Sequence, residues 1–90
     1  MRFSIEVEER AVTSIRRLPR EIHLHVVKSL SRLHNAPESE GKPSSGLYPK
    51  GHVLELEYAV GDLEFYIDVM YRIDETASEV AVFDVLWEYV

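Results

Sequence analysis

From residue 52 onward, apolar side chains recur at every second position: Leu54, Leu56, Tyr58 and Val60, then Phe65, Ile67, Val69, Tyr71 and Ile73, then Ala81, Phe83, Val85 and Trp87. A period of two is the mark of half-buried strands. Residues 52–60, 63–73 and 79–89 therefore read as three consecutive antiparallel strands, with Gly61 and Asp62 turning the first into the second and residues 74–78 turning the second into the third. The intervening positions carry Glu55, Glu57, Glu64, Tyr66, Asp68, Arg72, Asp84 and Glu88. One face of this sheet is thus expected to be apolar and the other strongly acidic.

Before this region the period changes. Phe3, Ile5 and Val7 alternate with Ser4 and Glu6, which predicts a short first strand. From Glu8 the apolar positions are Ala11, Val12, Ile15 and Leu18, a helical stripe over residues 8–18. Glu8 and Glu9 in its first turn and Arg16 and Arg17 in its last complement the helix dipole at both ends. Pro19 reads as the first-turn proline of a second helix, whose stripe is Ile22, Val26, Val27, Leu30 and Leu33. Residues 35–50 hold three prolines, two glycines and three serines. Such a stretch sustains neither period and is expected to be a long loop, with Leu47 and Tyr48 anchoring its end to the core. The order is β-α-α-β-β-β. It predicts an α+β fold of two layers, an antiparallel meander covered by a helical hairpin, in a single domain spanning residues 1–90.

Composition narrows the classes. With 46% hydrophobic residues and nine aromatic ones the chain is too apolar for a disordered segment. It has no cysteine, no apolar signal core and no run long enough to span a bilayer, so the expectation is a soluble, cytoplasmic protein without disulfides or thiolate metal sites, with a homodimer left open. The net charge of −6 is unevenly spread: residues 1–50 carry nine Lys and Arg against six Asp and Glu, and residues 51–90 carry one against ten. The acidic half should repel a phosphate backbone, so nucleic acid is not expected on the acidic sheet face.

Candidate chemistry is sparse. His23 and His25 are two apart on a helix and point about 200° apart, so they cannot share a metal ion. His34 ends a helix, and His52 opens a strand beside Lys50, where a general acid or base is one reading and a plain rim residue the other. No metal ligand set and no cofactor motif is present. The carboxylates fall on alternate positions of adjacent strands, and so gather on one face where they solvate it, bind a hard cation or meet a basic partner. Arg72 is expected to compensate neighbouring acids there, and Tyr66 and Met70 to supply apolar anchors. Arg10, Arg16, Arg17 and Arg20 form an alternative, basic patch.

The pattern Phe3, Ile5, Ala11, Ile15, Arg17, Leu18 and Pro19, the second helix ending Leu30, Leu33 and Pro37, and the run Leu56, Val60, Gly61, Asp62 into Tyr71, Arg72, Ile73 and Asp74 resemble the RelE/ParE superfamily of bacterial toxins over nearly the whole chain. The resemblance implies a small cytoplasmic toxin neutralised by an antitoxin protein. It also implies, for ribosome-dependent members, mRNA cleavage by basic residues and a tyrosine on the open sheet face. This chain has Glu55, Glu57, Glu64 and Glu88 where members place basic residues, so no catalytic residue carries over. The leading expectation is a toxin-like component that acts through protein binding, to an antitoxin and a second protein target, with Glu55, Glu57, Glu64, Tyr66, Asp68, Arg72, Asp84 and Glu88 as the partner-binding set. The alternatives are a ribosome-dependent endoribonuclease, or an enzyme using the clustered carboxylates or His52.

Overall fold

The computed structural model describes residues 2–44 and 51–90. Strand β1 (Ser4–Val7) leads into α1 (Glu9–Arg16) and α2 (Arg20–Leu30), which a 3-10 turn (Ser31–His34) extends. A single-turn helix α3 (Pro37–Glu40) and a two-residue strand β2 (Lys42–Pro43) follow, then β3 (Gly51–Val60), β4 (Leu63–Asp74) and β5 (Glu79–Tyr89). The five strands form one sheet in the order β1-β5-β4-β3-β2. The β3-β4-β5 meander is antiparallel as expected, and β1 joins it parallel to β5, Ser4 opposite Glu79 and Val7 opposite Val82. A parallel neighbour needs a long crossover, and here the whole intervening chain supplies it.

Helix α1 closes with the Leu18 N–H donating to the Ile15 carbonyl. Pro19 stands one position earlier than the sequence suggests, at the N-cap of α2, where a φ of −52° suits its ring. The buried faces of the helices are Ala11 and Ile15, then Ile22, Val26 and Leu30, with Leu18 and Leu33 completing the layer. Val27, assigned to the buried stripe by spacing, is 47% exposed. The loop expected over residues 35–50 is partly structured: α3 and β2 occupy its first half, while Leu47 and Tyr48 fall outside the described residues. Buried Pro37 explains why: its carbonyl accepts a hydrogen bond from the Tyr71 hydroxyl, and that ring is fully buried in the sheet. Gly41 is required at this crossing, since a Cβ there would lie 2.6 Å from the Val53 carbonyl oxygen. At the other end of β3, Gly61 has φ +60° in the two-residue hairpin, which glycine adopts without a steric cost.

One irregularity changes the reading of the last strand. Tyr71 pairs with Val82 but Met70 pairs with Asp84, so β5 carries one residue more than β4 at this point, a β-bulge. Past the bulge the phase of side chains shifts. Val80, Val82 and Val85 are the buried residues, at 0%, 0% and 1% exposure, joined by half-buried Trp87, whereas Ala81 and Phe83 leave the core assigned to them by strict alternation. Phe83 lies on the far face beneath Arg72, whose guanidinium carbon is 4.6 Å from the ring centroid. Leu54, Leu56, Phe65, Ile67 and Val69 meet the helices as the period-two pattern requires. Burying each of these side chains contributes roughly 1.5–3 kcal/mol.

Candidate functional site

The sheet face turned away from the helices is built from the odd residues of β3, the even residues of β4 and, past the bulge, the even residues of β5. The register sets them in rows: Glu57, Tyr66 and Glu88 lie side by side across three strands, Glu55, Asp68 and Leu86 form the next row, and Ala59 lies opposite Glu64. Glu55, Glu57, Glu64, Tyr66, Asp68 and Glu88 are all exposed. Six of the eight expected residues are therefore gathered on one open surface.

The other two lie on the same side of the sheet but stand apart from these rows. Asp84 is 5% exposed at the bulge: one carboxylate oxygen accepts the Val85 N–H at 2.9 Å and the other lies 3.6 Å from Arg10 Nε. It satisfies the Val85 amide on the side of β5 that β1, ending at Val7 opposite Val82, does not reach. Arg72 does not compensate the sheet acids. It reaches Glu8, 2.9 Å from the carboxylate, at the start of α1. Met70 is on this face but only 8% exposed, so it offers no anchor. Leu86, 51% exposed between Glu88 and Asp68, takes that place, in a shallow depression lined by Tyr66, Asp68, Leu86, Trp87 and Glu88. The alternation that turns Val85 and Trp87 toward the helices already places Leu86 on this face; the sequence pattern does not show that Leu86 stands exposed there while Met70 is covered.

Among the described residues one cation serves the acids of these rows. Lys42 of β2 forms an ion pair with Glu55. The Glu55 carboxylate holds the Lys42 ammonium above the ordinary lysine range, first by hydrogen bond and then by charge. Glu55 and Asp68 face each other directly, a like-charge pair that destabilises the sheet mildly. The Asp68 carboxyl is pushed above the usual carboxylate range, first by partial burial, then by Glu55 and Glu88, with Lys42 pulling it back. Tyr66 donates to Glu64 at 2.7 Å, and that bond, followed by the Glu64 charge, raises its phenol.

The raised Asp68 carboxyl has a sign that can be checked. A group whose folded pKa lies above its unfolded value binds a proton first in the folded state. Its charge therefore works against stability as pH rises from the ordinary carboxylate range through the raised value. A cation docked over the rows opposes that shift and expels the proton. Binding of a lysine-rich peptide in this mildly acidic window is expected to release protons, seen as different apparent heats in buffers of different ionisation enthalpy. The difference should shrink in Asp68→Asn, and equal heats for the parent protein would contradict the assignment.

The histidines lie elsewhere. His52 is paired with Tyr71, and both project to the helix side of the sheet, opposite the carboxylates. The two rings stack with centroids 5.4 Å apart, and buried His52 Nδ1 has no hydrogen-bond partner among the described residues. His52 therefore cannot work together with the acids of the outer face. His25 stacks on Tyr58 at 4.8 Å, and His34 Nδ1 is 2.7 Å from the Phe3 carbonyl, which ties the 3-10 turn to the residue preceding β1. Among the described residues no three His, Asp or Glu side chains converge as metal ligands, and no helix is long and apolar enough to cross a membrane.

No protein-family model and no curated protein matches the sequence. Solved structures do match in three dimensions. A chain of the toxin–antitoxin complex RelBE2 from Mycobacterium tuberculosis superposes with a TM-score of 0.74 at 21% identity, covering 94% of this chain and 96% of that one. A mutant of the Escherichia coli toxin RelE in the free state gives 0.72 at 19% identity, over 94% of this chain and 82% of that one. The archaeal RelE–RelB complex from Pyrococcus horikoshii gives 0.59 at 16% identity, with coverages of 94% and 93%. The chain has a RelE/ParE-like fold.

Proposed function

We propose that this chain is the toxin-like component of a bacterial, cytoplasmic toxin–antitoxin module, and that it acts by binding a basic segment of a partner protein on its acidic sheet face rather than by cleaving RNA. The observation that carries the reading is the charge of that face: Glu55, Glu57, Glu64, Asp68 and Glu88 stand exposed over three strands, Lys42 is already engaged by Glu55, and Arg72 is engaged by Glu8. Cleavage of a phosphodiester needs cations placed where negative charge develops in the transition state. A carboxylate at those positions raises the barrier and repels the substrate. Of the structural relatives described above, one comes from a toxin–antitoxin complex and another from a RelE–RelB complex, which supports an antitoxin as the partner.

In a translating extract the purified protein is expected to leave transcripts intact, as read by primer extension across several messages. Cleavage that tracked with the protein and vanished in Glu64→Ala would overturn the reading. Growth of a bacterial host, followed on inducing the chain with and without its neighbouring gene, tests the module itself: arrest relieved by the neighbour supports it, and unchanged growth in both arms rejects a toxin.

A further inference from the structure

We propose that the open edge of β3 accepts an extended, lysine- or arginine-bearing segment of the partner as an added strand, continuing the row that β2 begins. This rests on the acidic-face reading and adds to it the backbone geometry of docking. Glu64 and Val90 exchange both of their N–H···O bonds, at 2.9 and 3.0 Å, which sets the alternation along the ladder. Even residues of β4 therefore bond to β5 and odd ones to β3, where Leu54, Leu56, Tyr58 and Val60 receive them. Glu55, Glu57 and Ala59 consequently turn their N–H and C=O groups away from the sheet. The Ser44 N–H, which donates to Gly51 at 2.8 Å from the β2 side, confirms the phase.

Strand β2 covers only His52 and Val53 before the chain turns through Gly41 into α3, and no described residue bonds to the backbone of Glu55, Glu57 or Ala59. Their side chains are exposed on the acidic face. The same three residues thus present a row of backbone donors and acceptors in one direction, and two of them, Glu55 and Glu57, present carboxylates in another. β2 shows what such a neighbour does: lying beside β3, it delivers the Lys42 ammonium to Glu55. A second copy of this chain is a poor occupant, because edge-to-edge pairing would bring Glu55 and Glu57 against their own kind. A strand with basic residues at alternate positions satisfies both the backbone and the charges, the mode by which extended peptides add to sheet edges.

The test uses the full chain and a peptide of alternating lysine and valine, with two derivatives of equal charge: one N-methylated at every lysine nitrogen, one at every valine nitrogen. In an added strand only one of these two sets of amides faces β3. The expected result is that the parent peptide and one derivative bind while the other derivative binds at least about tenfold more weakly, and that the amides of Glu55, Glu57 and Ala59 exchange more slowly in the complex. If all three peptides bind alike and those amides exchange as in the free protein, strand addition is wrong and the acidic-face reading stands. If both derivatives weaken equally without protection of those amides, strand addition is likewise wrong. If no peptide binds at low ionic strength, both readings fall.

Discussion

A Glu57→Lys, Asp68→Lys double variant is expected to bind a lysine-rich partner segment roughly tenfold more weakly than the parent at low ionic strength, and the gap should narrow as salt is added. Each exposed ion pair is weak by itself. The reversal acts by turning two attractive neighbours into repulsive ones at the centre of the rows Glu57–Tyr66–Glu88 and Glu55–Asp68–Leu86. The apolar contribution of Leu86 and Tyr66 is left in place, so binding should weaken without disappearing. Titration by calorimetry at two salt concentrations decides the matter. An unchanged affinity at low salt would send the interface to the helical hairpin, where Arg16, Arg17 and Arg20 are exposed beside Leu24 and Val27.

Val82→Asp is expected to unfold the protein or to cost it more than about 3 kcal/mol, whereas Phe83→Asp should be far milder. Val82 is fully buried on the helix face, and a carboxylate there would lie within the apolar core. Phe83 is half exposed on the opposite face beneath the Arg72 guanidinium, so an acid at that position gains a neighbour of opposite charge. Urea denaturation of the two variants measures the difference directly. Were strict alternation correct for β5, the order would be inverted, with Phe83→Asp the damaging change. The comparison therefore tests the bulge as well as the stability.

Most of the fold was legible because its signals are local. Leu56, Ile67 and Val69 alternate with Glu57, Tyr66 and Asp68 over three strands, and Ile22, Val26, Leu30 and Leu33 keep a helical spacing, so burial follows from periodicity alone. Gly61 marks the hairpin for an equally local reason, its positive φ. Lys42 entered the site unannounced because it comes from a two-residue strand in a proline- and serine-rich stretch, with no period to read. Helix α3 was hidden in the same way: it is held by the Tyr71 hydroxyl on the Pro37 carbonyl, a contact between residues far apart in the chain.

By itself the sequence determined the two layers, the meander and the placing of Glu55, Glu57, Glu64, Asp68 and Glu88 on one acidic face, because alternation along a strand is enforced by backbone pleating wherever the ladder is regular. Only the tertiary structure decided what lies beside them. The bulge opposite Met70 and Tyr71 put Val82 into the core in place of Phe83, Asp84 became a buried acceptor, β1 took its place parallel to β5, and Arg72 went to Glu8. Each of these depends on which strand lies against which and in what register. Pairing of that kind joins residues distant in the chain, and no period within a single segment encodes it.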